Sequence, residues 1–113
     1  MEEPTVGDVI LINFPFSDAR IQKRRPALIV ATADFNDVIV CQITSNKYAA
    51  SRSVAVTNQD FAKGSLPVAS YVRPDKLFTL GRKLIIEDIA TLKTGKTQKV
   101  LAELRSLFSG TKA

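Results

Sequence analysis

Lys23-Arg24-Arg25-Pro26 sets a run of cations ahead of a proline. An arginine offers five N–H donors in a planar fork that suits the oxygens of a phosphate. Pro26 keeps the residue before it out of the helical region, so Arg25 projects from an extended strand entrance. Further along, Gln42-Ile43-Thr44-Ser45-Asn46 gathers amides and hydroxyls. Alternation there puts Ile43 on one face and Gln42 and Thr44 on the other, with the strand ending at the cluster. Such a cluster can hold a phosphate, a water or the edge of a base. Lys47 and Arg52 flank Tyr48, whose ring can stack on an unpaired base. Each group alone also has a plain reading: a solvated basic loop, a hairpin end, a rim tyrosine.

Other chemistries are excluded by what the chain lacks. It has no histidine and a single cysteine, Cys41. Ser-His and Cys-His nucleophile pairs, the usual zinc sites and an internal disulfide are therefore ruled out. Cys41 lies within an apolar strand with no base or cation beside it, which fits core packing. Gly95-Lys96-Thr97 looks like the tail of a phosphate-binding P-loop, but Ala90 stands where the motif needs its first glycine. A helix N-terminus is the better reading. Catalysis must run on Arg, Lys, Asp, Glu, Ser, Thr or Tyr, and no metal or cofactor is expected.

Sixteen Lys and Arg against eleven Asp and Glu give a net charge of +5 and a pI near 9.6. That balance favours a polyanionic partner, of which nucleic acid is the commonest. With 113 residues and 45% hydrophobic content, one domain spanning 1–113 with one core is expected. The longest apolar run, Val9-Ile10-Leu11-Ile12, is strand-sized, and Met1-Glu2-Glu3-Pro4 lacks the basic region of a signal peptide. A soluble cytoplasmic protein is the expectation.

These side chains must be positioned mainly by strands. Val6 to Phe14 forms the first, with an apolar centre that implies burial on both faces. A long polar loop covers residues 15 to 26. Ala27 to Ala31 and Val38 to Thr44 pair across the turn residues Phe35-Asn36-Asp37. After a second polar loop, 45 to 52, come short strands at Ser53 to Thr57 and at Ala69 to Val72. Between them lie one helical turn at Asn58 to Phe61 and a turn at Lys63-Gly64. Arg73-Pro74 stops the later strand, and Leu84 to Leu92 adds another. Val100, Leu101, Leu104, Leu107 and Phe108 then fall on one helical face, with Thr94 or Thr97 as N-cap and Gly110 as the stop. The class is mainly β with a C-terminal helix, a barrel-like antiparallel sheet.

In combination these pieces resemble the MazF/PemK toxin family. The likeness is carried by Gly7-Asp8-Val9-Ile10, Arg25-Pro26-Ala27-Leu28-Ile29-Val30, Ile43-Thr44-Ser45 and Tyr71-Val72-Arg73-Pro74-Asp75-Lys76-Leu77, in order along nearly the whole chain. The resemblance implies an SH3-like barrel that dimerises, with single-stranded RNA in a groove at the dimer face and a cognate antitoxin as partner. It implies a sequence-specific, metal-independent endoribonuclease acting on mRNA, in which the 2′-hydroxyl attacks the adjacent phosphorus. Arg25 and Thr44 match the family's key arginine and threonine. Lys23, Arg24, Ser45, Asn46, Lys47, Tyr48 and Arg52 are then expected to bind RNA. The chain departs from the family at residues 17–24, where glycine is missing and Asp18 is the one acid. Arg73, Leu77, Phe78 and Leu80 are expected at the dimer interface, since an apolar set left exposed invites self-association. The competing function is a non-catalytic barrel of the same shape, a CcdB-like gyrase poison or a degenerate RNA binder, for which Arg25 would be incidental.

Overall fold

The computed structural model describes residues 3–13, 24–46 and 51–110. Its elements are strands β1 (Asp8–Asn13), β2 (Arg24–Thr32), β3 (Asp37–Thr44), β4 (Val54–Val56), β5 (Phe61–Gly64), β6 (Ser70–Gly81) and β7 (Ile85–Leu92), then helix α1 (Thr94–Phe108). Single 3-10 turns lie at Asn58–Asp60 and Arg82–Leu84. The seven strands form one antiparallel sheet in the order β4-β6-β3-β2-β1-β7-β5, bent into a half-barrel. The expected class, mainly β with a C-terminal helix, is the observed one.

Because side chains alternate along a strand, the central strands feed two cores. Val9, Leu28, Cys41, Ile43 and Val72 turn to one face, where Val100 and Leu104 of α1 cover them. Ile10, Ile12, Ala27, Ile29, Val38 and Val40 turn to the other, closed by Leu80, with Phe78 and Ile85 packed against them. The two-faced burial expected of the first strand is thus present. At the β2–β3 turn, Phe35 and Asn36 both take left-handed backbone (φ 61° and 63°). That is the pattern of a hairpin turn whose twist matches its strands.

Several sequence expectations differ from the structure. Ala69 to Val72 does not stop at Arg73-Pro74: β6 continues to Gly81. In its ladder with β3, Val72 and Arg73 pair with Ile43 and Gln42, and pairing resumes at Leu77 opposite Cys41. Pro74 falls in the skipped stretch, where its missing N–H costs no ladder bond. Lys63-Gly64 belongs to β5, paired with Thr91 and Ala90, instead of forming a turn. β2 begins at Arg24, inside the expected loop, and β1 begins at Asp8. The N-cap of α1 is Lys93, while Thr94 lies within the helix and Thr97 is buried. Phe108 leaves the helix face at 71% exposure. No helix among the described residues is long and apolar enough to cross a membrane.

Candidate functional site

The cationic strand entrance and the hydroxyl strand end are neighbours. Along β1, Arg24 pairs with Asn13 and Arg25 with Ile12. On the other side, Ala27 pairs with Gln42 of β3, and carrying that antiparallel register two residues further sets Arg25 across from Thr44. Thr44 is itself paired with Tyr71 of β6. Both residues therefore sit on interior strands of the sheet.

These strand ends border a cleft of about 530 Å³. Arg24, Arg25, Thr44, Ser45 and Ser70 supply its polar lining, and Leu11, Ile43, Leu66, Pro67, Val68 and Ile89 its apolar lining. Arg25 and Thr44 are half-buried, whereas Arg24 and Ser45 are exposed. Among the described residues, neither arginine makes an ion pair. The Thr44 Oγ1 accepts a hydrogen bond from the Asn46 backbone N–H at 3.1 Å, which leaves its own O–H to donate. Two guanidinium forks lining one cleft with two hydroxyls can hold an oxyanion such as a phosphate or a carboxylate.

Other expected site residues are placed elsewhere. Arg52 is half-buried and reaches Glu103 of α1 at 3.4 Å, and it does not line the cleft. Asn46 takes part through its backbone N–H to Thr44. Lys23, Lys47, Tyr48 and Asp18 lie outside the described residues. Arg73 forks onto Asp75, with Nη2–Oδ2 at 2.6 Å and Nε–Oδ1 at 3.2 Å. Leu77 packs against the first core cluster and Phe78 against the second. Leu80 is 8% exposed, so this chain's own core takes up much of a surface that had been expected to be left open.

Two rejected motifs have structural tasks. Burial, and secondarily the nearby Asp75 carboxylate, push the Cys41 thiol up to about 12, far from a thiolate nucleophile. Lys96 donates Nζ to the Ala55 carbonyl at 3.0 Å and lies 3.6 Å from Asp60, fastening α1 to the β4 region. Asp8 is buried and accepts hydrogen bonds from the Thr5 N–H (3.0 Å) and the Thr91 hydroxyl (2.9 Å), which fixes the start of β1 against β7.

Residues 5–108 match the family described as PemK-like, MazF-like toxin of type II toxin-antitoxin system. The chain belongs to that family. No curated protein is similar enough in sequence to count as a relative. Solved structures share the fold at low identity. An endoribonuclease in complex with its cognate antitoxin, from Mycobacterial species, is 19% identical with a TM-score of 0.70, over 100% of this chain and 99% of that one. MazF from Deinococcus radiodurans is 23% identical with a TM-score of 0.74, over 96% and 99%. The MazE–MazF structure from the same organism is 24% identical with a TM-score of 0.74, over 98% and 100%. The half-barrel with a C-terminal helix is therefore the MazF-type fold.

For this PemK/MazF-like chain, the sequence reading missed the apolar half of the cleft. Leu66, Pro67 and Val68 carry no charge, aromatic ring or catalytic motif, and the segment's local signals, Gly64 and Pro67, mark only a turn. Only the sheet order reveals their position, because β5 ends beside β7 at the far edge from β4.

Proposed function

We propose that this chain is a toxin endoribonuclease that cuts single-stranded RNA at a preferred sequence and is neutralised by a cognate antitoxin. The observation that carries the reading is the meeting of Arg24 and Arg25 with Thr44 and Ser45 on one cleft. Membership of a toxin family of type II toxin-antitoxin systems supports it, as does the likeness in fold to an endoribonuclease bound to its antitoxin.

RNA supplies its own nucleophile, so the protein must provide geometry and charge more than a strong base. The 2′-oxygen bonds to phosphorus, the P–O5′ bond breaks, the 2′-proton leaves to solvent, and the 5′-oxygen gains a proton. Arg25 faces the negative charge that grows on the equatorial oxygens, and Thr44 holds one of them by donating its O–H. An arginine remains protonated in proteins, so Arg25 stabilises charge by hydrogen bonding and is not the base, and the proton that the 5′-oxygen gains comes from solvent. Nothing in this scheme requires a metal ion.

The test uses RNA with a single deoxyribose at the cut position, in parallel with the all-ribose strand. The all-ribose strand should be cut with excess EDTA present, leaving a cyclic phosphate and a 5′-hydroxyl. The deoxy strand should bind and stay intact, with affinity falling as salt rises. A 5′-phosphate product, or cutting of the deoxy strand, overturns the mechanism. A homodimer is part of the proposal, with residues around Leu77 and Phe78 at the two-fold axis. A charge placed at Phe78 should then shift sedimentation towards monomer, and a fully active wild-type monomer would remove the dimer from the proposal.

A further inference from the structure

The segment between β5 and β6 is held more firmly than a surface connection of its length requires. At its start Gly64 has φ +67°, and a Cβ there would lie 2.3 Å from the Ile89 carbonyl oxygen and 2.9 Å from the Ala90 Cα. Glycine lets the chain run hard against β7 in a left-handed conformation. Leu66 then drops into the first core cluster at 6% exposure. Buried Ser70 donates its hydroxyl to the Val68 carbonyl at 2.9 Å and pins the far side. Between these fastenings Pro67 is exposed and Val68 is 57% exposed, and both line the cleft that holds Arg24 and Arg25.

One exposed apolar side chain is ordinary, but Pro67 and Val68 share their cleft with Leu11, Leu66 and Ile89, and a contiguous apolar lining of this kind marks a binding surface. The same cleft also carries the cationic and hydroxyl lining. An occupant with an anionic end and a flat apolar end satisfies both linings, and a nucleotide has that form. The donors come from β2 and from the end of β3, an arrangement that suits the tetrahedral oxygens of a phosphodiester better than one planar carboxylate of a peptide.

Resting on the proposed function, we infer that Pro67 and Val68 seat one nucleobase, that of the nucleotide whose phosphate lies at Arg25 and Thr44, and select it by shape. Among the described residues no aromatic side chain lines the cleft. What these residues offer the base is close packing against Pro67 and Val68, and the methyls of Val68 limit the space it can fill. Ser70 also borders the cleft, but its hydroxyl is donated to the Val68 carbonyl, so it acts as a positioning residue that sets where Val68 stands.

The test is cleavage of a random single-stranded RNA pool by the full chain, with both ends of every product sequenced. Val68→Ala should lower kcat/KM on the preferred sequence by roughly five- to thirty-fold, the range for loss of two packed methyl groups. It should also broaden the base preference at one position while the other positions keep theirs. Ser70→Ala should blur the same position at a temperature where melting shows it folded. If neither these variants nor Val68→Asp change the sequence cut, the seat is wrong while the ribonuclease reading stands. Loss of antitoxin binding in Val68→Asp with RNA preference intact makes the wall a protein-docking surface and overturns the proposal. A wild-type chain that cuts no RNA overturns the ribonuclease reading and the seat together.

Discussion

The cleft and the seams around it use arginine in different ways. On the seams each guanidinium is engaged within the chain. Arg82 donates Nη1 to the Pro4 carbonyl at 2.6 Å, Arg73 grips Asp75, and Arg52 reaches Glu103. In the cleft Arg24 and Arg25 stand beside Thr44 and Ser45, with no ion pair among the described residues. A cation whose donors are already used helps hold strands and helix in place. A cation at a cleft edge with no ion pair among the described residues keeps its donors for an anion that arrives later, and its side chain becomes ordered on binding. Family membership fixes what kind of protein this is, and the contrast between arginines indicates where its chemistry lies.

The sharpest way to break that contrast is Arg25→Ala. Loss of one donor aimed at transition-state charge lowers rate on the order of 10²–10³. Stability should hardly change, because Arg25 has no ion pair to lose among the described residues. Arg25→Lys should restore little, since a point charge does not reproduce the fork. Single-turnover cleavage beside a denaturant melt separates the two effects, and near-normal cutting by the alanine variant would move the chemistry elsewhere.

Next in size is Gly64→Ala, which acts on the apolar wall. The substitution puts a Cβ against the Ile89 carbonyl and forces a non-glycine residue into φ +67°. Strain of this type costs about 1–3 kcal/mol. The melting midpoint should fall accordingly. A variant as stable as the parent would mean that the 64–68 segment moves aside cheaply, and a wall that moves could not select a base.

How far the sequence carried these assignments depends on whether a residue acts through local pattern or through partners distant in the chain. Val9-Ile10, the Phe35-Asn36 turn and the Val100/Leu104 stripe were legible, since period and turn chemistry are local properties. Arg25 and Thr44 were singled out by the family resemblance, since each alone also reads as a solvated loop or a hairpin end, and β2–β3 pairing sets them across from each other. β6 was cut short at Arg73-Pro74 because a proline ends a strand only if its N–H is needed, and that depends on the partner's register. Lys63-Gly64 looked like a turn because glycine often marks one, whereas this glycine serves a close approach to β7. Arg52 was read as an RNA contact because its charge is visible in sequence and Glu103, far along the chain, is not.

That last difference gives a smaller effect. Arg52→Ala should cost at most about 1 kcal/mol of stability, the usual worth of a partly exposed ion pair. Any loss in cleavage should fall well short of that from Arg25→Ala. Equal losses from the two variants would erase the distinction between cleft and seam cations.

The smallest effect belongs to the carboxylates of the β1–β7 seam. Asp88 is paired with Ile10 across that seam, and its carboxyl is raised from 3.8 to about 6. Partial burial is the first cause, followed by a hydrogen bond and charge from Asp8, with Lys63 partly opposing. A folded-state value above the unfolded one means that the native chain holds its proton more tightly. The stability linked to Asp88 is therefore full below about 3.8 and is lost as pH rises through about 6, beyond which it no longer changes. Asp88 is an exposed residue, so solvent screening keeps the effect under about 1 kcal/mol. Asp88→Asn keeps a donor for Asp8 with no proton to lose. Between about pH 4 and about pH 7 the variant should lose less stability than the parent, or gain more, as read by urea melts of the two side by side. Other carboxylates titrate in both proteins, Asp60 in the opposite sense because the Thr57 N–H holds its carboxyl low, so the difference between the two curves is the measurement. Parallel curves would mean that Asp8 does not help Asp88 hold its proton across β1 and β7.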